Sequence, residues 1–137
     1  MSKKFKYLKM APEIGQLYFF LNVSPFHLYS WKGTTTELYW LKTHRIYATD
    51  KDFKLAIEFV NNFYISNPEK LNYIISIPES HCEVWYGLYM DGQDIDCHSI
   101  KFDFDNEMHR DLYNKRRLYR TCEDLKNATN LITQALA

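Results

Sequence analysis

The feature that most constrains this chain is a stretch that occurs twice. Residues 45–63 read RIYATDKDFKLAIEFVNNF, and residues 117–135 read RLYRTCEDLKNATNLITQA, at a constant offset of 72 residues. Arg45, Tyr47, Thr49, Asp52, Lys54 and Ala56 recur unchanged as Arg117, Tyr119, Thr121, Asp124, Lys126 and Ala128. Each copy reads as a short strand running into a helix. Thr49 and Thr121 stand where an N-cap is wanted, since a threonine hydroxyl accepts a hydrogen bond from an early helical N–H. Asp52 and Asp124 follow three residues on and place a carboxylate at the positive end of the helix. Phe53, Ala56, Ile57, Val60 and Tyr64 then fall at three- and four-residue steps, as do Leu125, Ala128, Ile132 and Leu136. That spacing predicts amphipathic helices, each burying one face against a sheet.

The segments between the copies read mostly as strands. Residues 16–23 predict a first strand, closed by Ser24-Pro25, and residues 26–31 a second, with 32–36 as a turn. Residues 38–41 and 45–47 carry the chain in extended form to the Thr49 cap. After Asn67-Pro68, strands are expected at 71–77, 83–90 and 95–104, with a hairpin turn at Asp91-Gly92-Gln93-Asp94. Residues 106–113 fit a helical turn, an inserted edge, or the counterpart of 38–41. The expected fold class is therefore α+β: a mainly antiparallel sheet of five to seven strands with two helices on one face. Its organisation would be a basic lead-in (1–15), a first β-β-β-α unit (16–66) and a second β-rich unit ending in a helix (67–137), together in one compact domain. The echo points to a tandem duplication; one α+β domain without internal symmetry is the alternative.

Net charge is zero. That weighs against bulk phosphate binding, which wants surplus Lys and Arg. It weighs equally against an acidic mimic of DNA. Three cysteines without an apolar leader suggest a reducing, cytoplasmic setting, and no apolar run is long enough to span a membrane as a helix. Aromatic residues make up 17% of the chain, which fits strands and also fits a recognition surface.

Chemistry-bearing residues are scattered. His81-Cys82 and Cys97-His98 flank the 85–90 strand, but their spacing matches no common zinc motif, and neighbours on a strand point to opposite faces. Cys122 near a helix N-terminus and His109 would have to meet to form a nucleophile pair. Asp91, Asp94, Asp96, Asp103 and Asp105 lack the calcium-loop spacing. No catalytic residue, metal site or cofactor follows. Two binding surfaces do. Trp31, Tyr39, Trp40, Trp85 and Tyr86 include neighbours that cannot both face inward in a regular strand, so an uncovered sheet face would present aromatics to a protein partner or to a second copy of the chain. Arg110, Lys115, Arg116, Arg117 and Arg120 form the densest basic stretch, suited to phosphate or bases but diluted by neighbouring acids.

Tyr18–Phe20, Tyr29-Ser30-Trp31, and Arg45, Tyr47, Thr49, Asp52 and Ala56 together resemble small accessory proteins of phages and prophages, in which an aromatic β-meander leads through a Thr cap into an amphipathic helix. The resemblance covers roughly residues 16–63 and, more loosely, the second unit. Ile46-Tyr47-Ala48 and Phe53 depart from that pattern. It implies no catalytic residue. What it implies is a non-enzymatic binding protein, an inhibitor of a host or defence protein acting by contact. Nucleic-acid or nucleotide binding by the basic stretch, and a small enzyme with a His/Cys or His/Asp site, are the alternatives.

Overall fold

The computed structural model describes residues 4–21, 28–88 and 96–137. The expected end of the first strand at 22–23, the Ser24-Pro25 break, the start of the second strand at 26–27 and the turn around 91–94 lie outside the described residues. The α+β class holds, but the sheet divides in two. Strands β1 (Leu17–Phe20), β2 (Leu28–Ser30) and β3 (Ile46–Tyr47) form one antiparallel sheet in the order β2-β1-β3. Strands β4 (Glu83–Leu88) and β5 (Asp96–Lys101) form a second. Five helices accompany them among the described residues: α1 (Thr35–Lys42), α2 (Asp50–Ser66), α3 (Pro68–Leu71), α4 (Glu107–Asn114) and α5 (Cys122–Leu136).

The repeated stretches form the expected helices, α2 and α5. Thr49 Oγ1 accepts from the Asp52 N–H at 3.1 Å, and Thr121 Oγ1 from the Asp124 N–H at 3.0 Å. Phe53, Ala56, Val60 and Tyr64 are buried along α2, and Leu125, Ala128, Ile132 and Leu136 along α5.

Helix α1 corrects the extended reading of residues 38–41. Thr34 caps it, and Glu37 completes the box by accepting from the Thr34 N–H at 3.1 Å. Helix α4 settles 106–113 as helix: Asn106 Oδ1 accepts from the His109 N–H at 3.2 Å. The strand expected at 71–77 is absent as well. Pro68 opens the short helix α3, and Asn72 leaves it in a left-handed conformation (φ 55°), a common way to end a helix. Only Ile74 then makes a sheet-like contact, its N–H donating to Leu118 O at 2.8 Å. The lead-in is likewise tied down from its first turn: Phe5 is buried against Tyr47 and Phe59, and the Leu8 N–H donates to Ile46 O at 2.9 Å.

With these elements in place, the first unit runs β-β-α-β-α rather than β-β-β-α, and the second runs β-β-α-α with the isolated Trp85–Tyr119 bridge where the first has β3; hydrogen bonds recur at corresponding positions. Phe19 pairs with Tyr47 as Trp85 pairs with Tyr119. Tyr18 faces Tyr29 as Val84 faces Ile100. The Trp31 N–H donates to Gln16 O and the Phe102 N–H to Cys82 O; the Arg45 N–H donates to Trp40 O and the Arg117 N–H to Leu112 O. His44 (φ 65°) and Arg116 (φ 63°) take the same left-handed turn after α1 and α4.

Each small sheet packs on both faces at its centre, because alternate strand residues point oppositely, while Leu17 and Leu28 at the outer end of the first sheet stay exposed. Tyr18, Phe20 and Ile46 pack with Trp31 and Trp40 on the α1 side, while Phe19 and Tyr47 pack with α2. Val84, Phe102 and Leu118 pack with Leu112 of α4, while Trp85 and Tyr119 pack with α5. The α2 and α5 sides merge into one core in which Tyr64 and Tyr119 share a hydroxyl–hydroxyl hydrogen bond of 3.1 Å. The disulfide between Cys97 on β5 and Cys122 at the start of α5 staples the second unit.

Candidate functional site

The aromatic residues singled out in the sequence do not form one surface. Trp31 and Trp40 are buried, 2% and 5% exposed, because α1, which carries Trp40, covers the sheet face against which Trp31 packs. The Phe20 and Trp40 rings stack there with centroids 3.8 Å apart. Tyr39 is half-buried on α1 beside that cluster. Trp85 is half-buried against the α5 core, and Tyr86 lies on the opposite face with its ring stacked on His98. The premise of an uncovered aromatic sheet face fails because α1 and α4 add the layer that the strand reading lacked.

The basic stretch is dispersed in the same way. Arg110 sits on α4 with its guanidinium 5.9 Å above the Phe104 ring, and Lys115 is held by Asp111 at 2.9 Å. Arg116 occupies the left-handed turn. Arg117 turns toward the other unit, and Arg120 lines a groove with Ile74 and Cys82. Arg110 and Lys115 share one groove on α4, Arg116 lines a second and Arg120 a third.

The zinc and nucleophile groupings that the sequence reading weighed and set aside are also separated. His81 and Cys82 lie beside Phe102, whereas Cys97 and His98 pair with Gly87 and Tyr86 farther along the hairpin. Among the described residues no three His, Cys, Asp or Glu side chains gather as a metal ion would need. Cys122 is disulfide-bonded, and His109 is buried on α4 with Nδ1 accepting from the Asp103 N–H at 3.0 Å.

Two arrangements emerge that the sequence reading did not single out. The first surrounds Glu37, a buried carboxylate. Its Oε2 accepts from Tyr18 Oη at 2.7 Å, and its Oε1 accepts from the Lys32 N–H at 2.9 Å and the Thr34 hydroxyl at 3.1 Å. Burial alone would raise the Glu37 pKa, but the bonds from Tyr18, Thr34 and Lys32 outweigh it and hold the carboxyl below its ordinary value. The Tyr18 hydroxyl is driven far above the usual phenol range, first by burial and then by its bond to Glu37 and the charge it carries. The motif Thr34-x-x-Glu37 is a capping box, and that signal would have found both α1 and this carboxylate. Around the network, among the described residues, no strand pairs with the outer edge of β2. Leu17 and Leu28, on the β1–β2 face, are 58% and 52% exposed. On the other side a groove of about 490 Å³ runs between β2 and α1, lined by Tyr29, Lys32, Thr36 and Trp40 among others.

The second arrangement lies where the units meet. Arg45, only 1% exposed, donates through Nη1 to Thr43 O at 2.9 Å and through Nη2 to Thr133 Oγ1 of α5 at 3.1 Å. Arg117 mirrors it, donating to Lys115 O at 2.6 Å and to Asn61 Oδ1 of α2 at 3.3 Å. Each arginine thus reaches the helix of the other unit. Tyr47, beside Arg45, is raised above the phenol range by burial, against the lowering effect of that guanidinium.

No helix among the described residues is long and apolar enough to cross a membrane. Comparison of the chain with protein-family models, with curated proteins and with solved structures gave no match.

Proposed function

We propose that the protein is a non-enzymatic binding protein that acts by protein–protein contact, through the outer edge of its first sheet. The observation that carries this reading is the setting of β2. Among the described residues it is the terminal strand of the sheet, with exposed Leu17 and Leu28 on one face and the β2–α1 groove on the other. An extended partner segment added beside β2 would take main-chain hydrogen bonds from the edge. Its alternate side chains would fall on the leucine face and in the Tyr29–Thr36 groove. The polar residues around it support binding rather than turnover, since Glu37 and Tyr18 are engaged with each other and with the α1 cap.

The resemblance to phage accessory proteins supports a host or defence protein as the partner, blocked by occupancy. The test uses the folded chain as bait in host lysate, beside Leu17→Asp and Leu28→Asp. Both side chains are exposed, so the variants should fold. A stoichiometric partner that the wild type retains and both variants lose supports the edge. Equal retention by all three sinks it, and concentration-dependent dimerisation abolished by the same changes would assign the edge to a second copy of the chain.

A further inference from the structure

Arg45 and Arg117 are corresponding residues of the two units, and they line one cavity of about 60 Å³ together with Tyr64 and Tyr119. Val60 and Ile132, also corresponding, close it on the helix side. Among the described residues the lining contains two guanidinium groups and no carboxylate. Both guanidiniums are held in place. Arg45 is fixed by Thr43 and Thr133, and Arg117 by Lys115, Asn61 and the Tyr64 ring, over which its Cζ stands at 3.5 Å. Arginine offers five N–H donors in a planar fork that matches oxyanion geometry, and a partly desolvated setting strengthens each bond.

We propose that this cavity binds a tetrahedral inorganic oxyanion of phosphate size, gripped between Arg45 and Arg117. The size argument is direct. A water needs about 10–15 Å³ of such volume, so the space accepts roughly four to six heavy atoms. That accommodates phosphate or sulfate and excludes a nucleoside. The position gives the ligand a structural consequence, because it would join the two units at their shared core. This proposal is independent of the β2 edge.

The experiment titrates the full-length chain with sodium phosphate against sodium chloride at matched ionic strength, reading thermal stability and the ³¹P linewidth of phosphate. Adenosine monophosphate serves as the oversized probe. Arg117→Gln, at the half-buried arginine, keeps the fold testable by circular dichroism, and Arg117→Lys retains a charge without the fork. The expected result is saturable stabilisation and line broadening by phosphate, at least a tenfold loss of affinity in folded Arg117→Gln, and a partial loss in Arg117→Lys. Phosphate that stabilises no more than chloride, binding unchanged in Arg117→Gln, or adenosine monophosphate binding as tightly as phosphate would each overturn the proposal.

Discussion

The Tyr18–Glu37 pair offers the sharpest test of the packing described above. Tyr18→Phe removes one hydroxyl and leaves the ring, which keeps its contacts with Tyr29, Trp31 and Trp40. What is lost is a 2.7 Å hydrogen bond to a buried carboxylate. Hydrogen bonds to charged groups contribute about 1.5–3 kcal/mol, so the variant should be destabilised by about 2 kcal/mol at neutral pH. With a urea dependence near 2 kcal/mol per molar, the midpoint should fall by about 1 M. Glu37→Gln should cost more, because the bonds from Lys32, Thr34 and Tyr18 all change partner character. A double-mutant cycle should return a coupling of about 1–2 kcal/mol.

The pH dependence has a definite sign. Glu37 has a folded pKa below its ordinary 4.5. Its contribution is therefore present above that value and fades as pH falls through the lower folded pKa. Removing Tyr18 Oη removes one of the bonds that holds the pKa down, so the acid loss in Tyr18→Phe should be smaller and should be complete at higher pH. The penalty of Tyr18→Phe should also shrink once the carboxyl is protonated. Urea titrations followed by Trp fluorescence between pH 3 and 7 would measure both. A coupling below about 0.5 kcal/mol, or a Tyr18→Phe penalty that is flat with pH, would refute the assignment of Glu37 as a charged, fully engaged buried group.

Three further outcomes follow from the fold. The Cys97–Cys122 link spans a sequence separation of 25, so reducing it or replacing both cysteines by alanine should cost about 3.5 kcal/mol on chain entropy; identical urea midpoints with and without reductant would count against the link. Thr49→Ala and Thr121→Ala should each cost about 1 kcal/mol in thermal or chemical melts, and a large inequality between them would show that the two caps are not equivalent. Ala56 and Ala128 are both fully buried in the shared core, and enlarging either to Leu should destabilise by about 1–3 kcal/mol through overpacking; a neutral effect at both would place slack where the structure has none.

The parts of the fold that could be read from the sequence are the local ones. Helices α2 and α5 announce themselves through a Thr cap, an early Asp and many turns of periodic apolar residues, all within one stretch. Helix α1 hides because eight residues give barely two turns, and Leu38-Tyr39-Trp40-Leu41 satisfies a strand pattern equally well. Its Thr34–Glu37 box was the discriminating signal. Residues 71–77 failed in the opposite direction: Ile74, Ile75 and Ile77 have strand-like composition, but Pro68 and Asn72 spend the segment on a short helix and a left-handed turn. The division into two sheets rests on pairing between distant segments, and nothing local encodes it. The site suffered most. Trp31 and Trp40 stood out as interface residues, yet the missed α1 is the element that buries them.

The correspondence between the units also changes where function should be sought. A repeat read along the sequence suggests that its shared residues serve the fold and that function belongs to whatever differs. Packing two similar units face to face reverses this for residues at their junction. There Arg45 and Arg117, and Val60 and Ile132, line one common space, so one basic residue per unit becomes two around it. Arg45 and Arg117 do this, each anchored on the helix of the other unit. The offset explains why only part of the correspondence shows in the sequence. The helices and β3 keep the spacing of 72, whereas β1 and β4 correspond at 66, with Phe19 matching Trp85. An alignment at constant spacing therefore recovers Arg45 and Arg117 but loses the strands. Position 37, which the constant spacing does align with 109, carries a different residue. Lys32 N–H to Glu37 in the first unit becomes Asp103 N–H to His109 in the second. The same backbone donor is met by a carboxylate in one copy and an imidazole in the other. The fold conserves the acceptor while the chemistry diverges, and among the described residues the buried carboxylate belongs to the first unit, beside the β2 edge.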